Sequence, residues 1–137
     1  MKRRATREEP IQAGYEVGSS VTVRALHQLP VDGPEGELHA HDYRIDVVVG
    51  RRELDERGMV CDLDALRAAL QAIVARIEGK DLEEIRPPTA EAVTVEVLAR
   101  WAHQTLVPAL QRAGGDTLAV RVWETGSDFG GYAGPVA

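Results

Sequence analysis

Three histidines in the first third of the chain have the type and spacing of metal ligands. His39 and His41 stand one residue apart, and His27 ends an earlier apolar run. Alternate residues of a β-strand share a face, so His39 and His41 project together if their segment is a strand. Imidazole nitrogens bind Zn²⁺ at about 2.0–2.1 Å, usually in a tetrahedral set. The pattern predicts a zinc site formed by these three residues, and a histidine trio that holds no ion is the plainer alternative.

The segments that carry the histidines have the composition of strands. Residues 38–50, LHAHDYRIDVVVG, end in a run of β-branched side chains, and residues 21–27, VTVRALH, alternate in character. Both patterns favour strands that could lie side by side in an antiparallel sheet. Further strands are predicted at 117–124 and, more briefly, at 15–17 and 58–62. The glycine-rich segment 126–137 is expected to be a loosely held tail.

Two helices are predicted between the second and the last strand. Apolar residues recur at intervals of three and four from Leu63 to Ile77, with Asp62 as N-cap. The second helix is predicted to have Thr89 as its N-cap and to kink or end at Pro108. Its buried stripe is predicted to comprise Val93, Val97, Leu98 and Trp101. Together the elements indicate an α+β protein with its helices on one face of an antiparallel sheet.

Length and composition restrict the class of protein. The 137 residues suit a single domain, here 21–137, preceded by a flexible arm, 1–20. The formal net charge of −6 argues against nucleic-acid binding, which depends on clustered Lys and Arg. The single cysteine, Cys61, cannot form an internal disulfide, and no apolar run reaches membrane-spanning length. These features predict a cytoplasmic protein with no membrane partner.

The order of five motifs resembles that of the 6-pyruvoyltetrahydropterin and 6-carboxytetrahydropterin synthases. The motifs are His27, His39-x-His41 with Tyr43, GMVCDL (58–63), PT-x-E (88–91) and a last strand ending in Glu124-Thr125. The resemblance covers residues 21–132 and implies a tunnelling fold. In that fold, a four-stranded antiparallel sheet with two helices packed on one face oligomerises into a barrel. Three subunits would close a barrel, two trimers would form a homohexamer, and active sites would lie at subunit boundaries.

The same resemblance implies roles for individual residues. The three histidines would bind zinc, and Glu124 would bind the guanidine-like edge of a pterin, with Thr89 and Glu91 nearby. A carboxylate that faces two N–H donors makes a charge-assisted contact stronger than a neutral hydrogen bond. The implied partner is therefore a pterin-like small molecule.

Three positions depart from the synthase pattern in a way that bears on catalysis. Where the synthases have a cysteine four residues before the His-x-His motif, this chain has Glu35, and Glu78-Gly79 replaces an Asp-His pair after the first helix. A cysteine–aspartate–histidine relay needs a thiolate and an imidazole to move protons, and neither is present at these positions. Ala40 and Asp42 also replace a glycine and an asparagine beside the histidines.

Three functions are compatible with these residues. The first is a pterin-binding homologue whose reaction differs from that of the synthases. The second is a zinc-dependent lyase that uses Glu35 to convert dihydroneopterin triphosphate to a 6-hydroxymethylpterin, as a family branch with glutamate at that position is taken to do. The third is a non-catalytic oligomeric binding protein. Plain structural roles also stay open for Glu35 in a loop, Glu124 at a strand end, and Thr89 and Glu91 at a helix start, and His103 is expected at the surface.

Overall fold

The chain folds into one antiparallel sheet and two long helices. The structure, a computed structural model, describes residues 14–137. In chain order its elements are β1 (Tyr15–His27), β2 (His39–Arg51), α1 (Leu63–Ile77), α2 (Val95–Ala113), β3 (Thr117–Trp123) and β4 (Phe129–Pro135). Short 3₁₀ turns lie at Pro34–Gly36 and Leu82–Ile85. Residues 1–13 of the predicted arm lie outside the described residues, and residues 15–20 form the first part of β1.

The four strands lie in the order β1-β2-β3-β4, and each pair of neighbours is antiparallel. β1 and β2 pair over their full length, from Tyr15 opposite Arg51 to His27 opposite His39. β3 pairs with β2 only from Arg44 onwards, so the histidine end of β1 and β2 extends beyond β3. The predicted four-stranded antiparallel sheet with two helices is confirmed.

One face of the sheet is buried and forms the core with the helices. Val23, Tyr43 and Val122 are almost fully inaccessible, whereas their neighbours in sequence are more exposed, as the two-residue period of a strand requires. The fully buried side chains of α1 belong to the predicted stripe: Leu66, Leu70, Ile73 and Ile77. Each such side chain stabilises the fold by about 1.5–3 kcal/mol through removal of apolar surface from water.

The first helix begins where the sequence predicts and the second does not. The Asp62 carboxylate accepts the backbone N–H groups of Asp64 and Ala65, which confirms it as N-cap of α1. The cap of α2 is Thr94, whose hydroxyl accepts the N–H of Val97 at 3.2 Å. The prediction of Thr89 as N-cap is therefore wrong. Residues 95–113 form the helix because this register places an apolar stripe on the sheet: Leu98, Ala99, Ala102, Leu106 and Leu110.

Pro108 neither ends nor divides α2, which continues to Ala113. The proline has no N–H to donate to the carbonyl of Gln104, but Pro108 and Gln104 are both exposed, so water can hydrate that carbonyl. His103, expected at the surface, is only 4% exposed and packs edge-on against Tyr132 at 4.8 Å. The expectation for His103 is wrong because α2 turns this side chain towards the sheet, and the prediction that the helix ends at Pro108 is wrong because the helix continues beyond it.

The predicted loose tail contains the fourth strand. Residues 129–135, FGGYAGP, pair with β3 from Trp123 opposite Phe129 to Thr117 opposite Pro135. Two glycines allow this strand to approach its neighbours: a Cβ on Gly130 would lie 2.6 Å from Val95 Cγ2, and one on Gly131 would lie 2.7 Å from the Val120 oxygen. The glycines that suggested a loose tail are therefore needed for the close packing of this strand against its neighbours.

The predicted brief strand at 58–62 is absent from the structure, which has a turn before α1. The Asp55 carboxylate organises this turn by accepting the backbone N–H groups of Arg57 and Met59 at 2.8 and 2.9 Å. Cys61 is buried beside the start of α1, as a small core residue. Within residues 14–137, neither helix has the length and apolar character needed to cross a membrane.

Candidate metal centre

The pairing of β1 and β2 brings the three predicted histidines together. His27 lies directly opposite His39, and His41 follows on the same face of β2. The centroids of the imidazole rings are 4.5 Å apart for His27 and His39, 5.0 Å for His27 and His41, and 4.7 Å for His39 and His41. The rings therefore surround a common point at the end of the sheet that extends beyond β3.

Backbone carbonyls set the orientation of two of the rings. His39 Nδ1 lies 2.6 Å from the carbonyl oxygen of Glu37, and His27 Nδ1 lies 3.4 Å from that of Val93. A carbonyl can only accept, so in each contact the ring donates Nδ1–H and, when neutral, keeps a lone pair on Nε2. A hydrogen bond from the second nitrogen to a carbonyl is the usual support for a metal-binding histidine.

The environment of His27 fits a metal ligand. The ring is 4% exposed, and no protein group among residues 14–137 hydrogen-bonds to its buried Nε2. Burial lowers the pKa of His27, and the adjacent His39 and His41 lower it further, against the opposing effects of the Val93 carbonyl and Glu124. The neutral imidazole, which is the form that binds metals, is therefore favoured.

Glu35 lies inside the histidine cluster. Its Oε1 is 3.3 Å from His39 Nε2 and 3.9 Å from His27 Nε2. The ligand atoms of Glu35 and the three histidines all lie within 4.8 Å of one another. The loop that contains the 3₁₀ turn Pro34–Gly36 thus places a carboxylate where the sequence pattern of the synthases has a thiol.

Glu124 also faces the histidines. Its Oε2 lies 3.7 Å from His27 Nε2 and 3.6 Å from His41 Nε2, and its side chain is 30% exposed. The preceding residue, Trp123, donates its indole N–H to Asp46 at 2.8 Å, which fixes the end of β3. Glu124 also lines a cavity of about 420 Å³ whose other lining residues include Asp42 and Arg44 but none of the three histidines. The predicted pterin-binding carboxylate therefore lies beside the predicted metal ligands.

The other two predicted binding residues lie elsewhere on the chain. Thr89 lines a groove of about 410 Å³ against α2, together with Glu96, Arg100 and Trp101. Glu91 lines a different depression, of about 270 Å³, beside Asp81 and other residues. Within one subunit, the fold does not bring Thr89 and Glu91 into the cluster that contains Glu124. Sequence reasoning gave Glu96 no role, although it shares a groove with Thr89.

Glu78 and Gly79 have structural roles at the end of α1. Glu78 Oε2 accepts the backbone N–H of Arg24 at 3.2 Å, and the Gly79 N–H donates to the Arg24 carbonyl at 2.7 Å. Gly79 has a φ of +70°, which glycine adopts at little cost. These contacts tie the end of α1 to β1.

Cys61 lies far from the histidine cluster. It lies beside the start of α1, where the N–H of Asp62 bonds to the carbonyl of Ala113, and so at the end of the fold where Tyr15 pairs with Arg51. Burial raises the pKa of the Cys61 thiol, and the nearby Asp62 raises it further. A buried thiol of this kind is largely protonated and inert near neutral pH.

Tyr43 is a site residue whose importance the sequence did not reveal. Its ring lies 6.1 Å from that of His27 and 5.5 Å from that of His41, between the histidines and the core. No group among the described residues hydrogen-bonds to its buried hydroxyl. Burial, Glu124 and Glu35 all raise the pKa of Tyr43, so it stays protonated. The signals in the sequence are its two-residue spacing from His41 and its place in the motif that begins with His39.

Comparisons with known proteins agree on one family. A family model described as 6-pyruvoyl tetrahydropterin synthase matches residues 16–134. The chain is 28% identical over 118 residues to the 6-carboxy-5,6,7,8-tetrahydropterin synthase of Aquifex aeolicus, an alignment that covers 69% of this chain and 73% of that protein.

Two solved structures show the same fold at low sequence identity. The 6-pyruvoyl tetrahydropterin synthase of Caenorhabditis elegans matches with a TM-score of 0.68 and 18% identity, over 88% of this chain and 95% of that chain. A Plasmodium vivax 6-pyruvoyltetrahydropterin synthase with a catalytic residue changed from glutamate to alanine matches with a TM-score of 0.71 and 13% identity, over 88% and 98%. Because the family model spans most of its length, the chain belongs to the 6-pyruvoyl tetrahydropterin synthase family.

Proposed function

We propose that this protein binds zinc and a dihydropterin, and that it cleaves a carbon–carbon bond of the pterin side chain with Glu35 as the proton-transfer group. The observation that carries the proposal is the position of Glu35 Oε1, 3.3 Å from His39 Nε2. A general base must come within hydrogen-bond reach of the proton it removes. A substrate hydroxyl held at the histidine trio lies within that reach.

Zinc would be held by His27, His39 and His41. Their Nε2 atoms converge, and the carbonyls of Glu37 and Val93 orient two of the rings. When bound, Zn²⁺ acts as a Lewis acid that makes a coordinated hydroxyl group more acidic.

Glu124 would bind the pterin ring. Its carboxylate faces the histidine trio at 3.6–3.7 Å and remains partly exposed, so a ligand can reach it. An aminopyrimidine edge offers two N–H donors in one plane, which a carboxylate accepts as a paired contact. Thr89 and Glu91 line other grooves of the same subunit, so they would serve a site at a subunit boundary.

A single carboxylate suffices for a retro-aldol cleavage of the side chain. Glu35 accepts the proton of the hydroxyl on the second side-chain carbon, the bond between the first and second carbons breaks, and the second carbon leaves as an aldehyde. The electron pair of that bond moves into the adjacent C=N system of the dihydropterin. Glu35 then returns the proton to the first carbon, which leaves a 6-hydroxymethyl group. The proton removed equals the proton returned, so the cycle needs no second acid or base.

The standard synthase reaction fits these residues less well. Glu78 is engaged with the backbone of Arg24, Gly79 has no side chain, and Cys61 is buried with a raised thiol pKa. A glutamate with a catalytic role has a parallel in the Plasmodium vivax relative, whose catalytic residue is a glutamate in the native enzyme. We therefore propose dihydroneopterin triphosphate as substrate and a 6-hydroxymethylpterin as product.

The test is a turnover assay under saturating Zn²⁺, with metal content measured on the same samples. The wild-type protein is expected to form hydroxymethylpterin, and Glu35→Gln is expected to lower the rate at least about 100-fold, since general base catalysis contributes about 10²–10⁴-fold. Asp32→Asn, which changes an exposed carboxylate of the same loop, is the matched control and should keep wild-type activity. Undiminished turnover in Glu35→Gln would refute the proposal.

A second measurement tests the alternative that the protein binds a pterin without catalysing a reaction. Calorimetry with a dihydropterin should give tight binding that Glu124→Ala removes. If that binding is found but no product forms under any metal condition, the protein is a pterin-binding homologue and not a lyase.

We also propose that the subunits assemble as a homohexamer of two trimers, as the family resemblance implies. β1 and β4 are the outer strands of the sheet and present edges to which strands of other copies can add. Light scattering coupled to size exclusion should give six times the chain mass of 14.9 kDa. A monomer at micromolar concentration would contradict this assembly.

A further inference from the structure

We infer that Glu35 is itself a metal ligand in the substrate-free protein, so that the resting site is a closed set of three imidazoles and one carboxylate. The inference rests on the proposed function for the presence of the metal. It adds the ligand that fills the fourth position when no substrate is bound. Zinc sites with four protein ligands are closed, whereas catalytic sites keep one position open.

The distances match one ion shared by four ligand atoms. Bonds of about 2.0–2.1 Å in a tetrahedron put neighbouring ligand atoms roughly 3.3 Å apart. In the structure, His39 Nε2 lies 3.0 Å from His41 Nε2 and 3.3 Å from Glu35 Oε1, and His27 Nε2 lies 3.9 Å from Glu35 Oε1. All four ligand atoms lie within 4.8 Å of one another. The widest separation of up to 4.8 Å exceeds the tetrahedral value by about 1.5 Å, so the ligand atoms must move closer together when they bind a cation.

Glu124 is the only other carboxylate that contacts the histidines among the described residues, and it fits this position less well. Its Oε2 lies 3.6 and 3.7 Å from two of the three Nε2 atoms, and it is not part of the group whose ligand atoms are all mutually close. The two carboxylates therefore approach the trio at different edges. Glu35 completes the tetrahedral set, and Glu124 remains free for a ligand.

The loop before β2 fixes Glu35 from both sides by backbone contacts. The Leu29 N–H donates to the carbonyl of Glu35 at 2.8 Å, the Gln28 side-chain amide donates to the carbonyl of Gly36 at 2.6 Å, and the Gly36 N–H donates to the carbonyl of Gly33 at 2.9 Å. One residue further, the Glu37 carbonyl accepts from His39 Nδ1 at 2.6 Å. The same turn thus positions Glu35 and orients a histidine ligand, although the Glu35 side chain itself is half exposed.

A bound carboxylate and a free base are different states of the same group. While Glu35 binds the cation, its ligating oxygen is not available to accept a proton from a substrate. It must leave the metal before it can serve as base, and a substrate hydroxyl that takes its position would free it. The inference therefore describes a site that substrate opens.

The test uses metal alone, so that it does not depend on any pterin. Zinc affinity is measured by competition with a chromophoric chelator, and Co²⁺ loaded in place of zinc reports coordination through its visible absorption. Glu35→Gln is expected to weaken zinc binding at least about tenfold, since even outer-shell changes cost 10–100-fold. Its Co²⁺ bands should shift as water replaces the carboxylate. Glu35→Asp, which keeps the charge on a shorter side chain, should weaken binding to a similar extent.

Two controls make the result decisive. Asp32→Asn removes the same charge from the same loop, at an exposed position, and should leave zinc affinity and the Co²⁺ spectrum unchanged. Circular dichroism checks that every variant is folded. Wild-type affinity and spectrum in Glu35→Gln would overturn the inference, and so would a larger loss in Glu124→Gln. If Glu35→Gln weakens zinc while the wild type cleaves no pterin, the inference stands and the proposed function fails. If turnover depends on Glu35 but metal affinity does not, the proposed function stands and this inference fails.

Discussion

Replacing Gly36 by alanine tests whether the loop before β2 positions Glu35. An added Cβ would lie 3.0 Å from the carbonyl carbon of Val31 and closer still to its oxygen. Because the obstacle is backbone, no change of rotamer can relieve it. Non-bonded carbons pack at about 3.5–4.0 Å, and the closer oxygen requires a larger movement than the carbon does, so the loop must open by roughly 1 Å or more. The contacts that stretch first are those of Gly36 with Gly33 and Gln28.

We expect Gly36→Ala to lower zinc affinity more than it lowers the stability of the fold. Each lost hydrogen bond contributes about 0.5–1.5 kcal/mol net, so the free energy of unfolding should fall by about 1–3 kcal/mol. Because the loop is exposed and water can hydrate the freed groups, we expect the lower end of that range. At Glu35, however, a displacement of roughly 1 Å or more exceeds the tolerance of about 0.2 Å on metal–ligand distances. Zinc affinity should therefore fall about tenfold or more while the melting temperature falls by only a few degrees.

Zinc competition and calorimetric melting on the same samples separate the two effects. Gly126→Ala is the matched control, because a Cβ there meets nothing within 4 Å. It should change the free energy of unfolding by no more than about 0.5 kcal/mol. Wild-type zinc affinity in Gly36→Ala would refute the reasoning, since it would mean that the loop does not determine where Glu35 lies.

Three further predictions concern stability. Thr94→Ala should lower the free energy of unfolding by about 1 kcal/mol through loss of the N-cap of α2, whereas Thr89→Ala should not. Equal effects of the two substitutions in thermal melting would contradict the assignment of Thr94 as the cap. Tyr43→Phe should leave stability unchanged or raise it in chemical denaturation, because it removes a buried hydroxyl that has no hydrogen-bond partner among the described residues. Burial lowers the pKa of His103 below its ordinary 6.5, so the unfolded chain binds the proton more tightly. Urea unfolding of the metal-free protein should therefore show stability falling as pH drops from about 7 to 5, with a smaller slope in His103→Gln.

The elements that could be predicted are those whose local sequence pattern is compatible with only one secondary structure. The alternation in β1 and β2 determines which side chains face the core, and it placed His39 and His41 on the same face as Tyr43. The apolar stripe of α1 and its N-cap at Asp62 could also be predicted, because the helical spacing of apolar residues begins directly after a residue type that caps helices.

The parts that could not be predicted depend on contacts distant in sequence. Thr89 and Thr94 both precede a glutamate by two residues, and only the packing of the α2 stripe on the sheet selects Thr94 as the cap. β4 has little strand propensity of its own, because its glycines weaken any periodic signal, and it is held by pairing with β3. The approach of Glu35 to His39 depends on how the loop closes, which no periodic pattern encodes.

The three positions that depart from the synthase pattern have different physical surroundings. Glu78 accepts a backbone N–H of β1, and Gly79 takes a left-handed conformation where the chain leaves α1, so both serve the fold. Glu35 alone faces the histidines. Within one subunit, one of the three positions therefore contributes a carboxylate to the candidate metal centre, and the other two do not. This arrangement is the reason that we propose side-chain cleavage, a reaction in which the same group can remove and return a single proton.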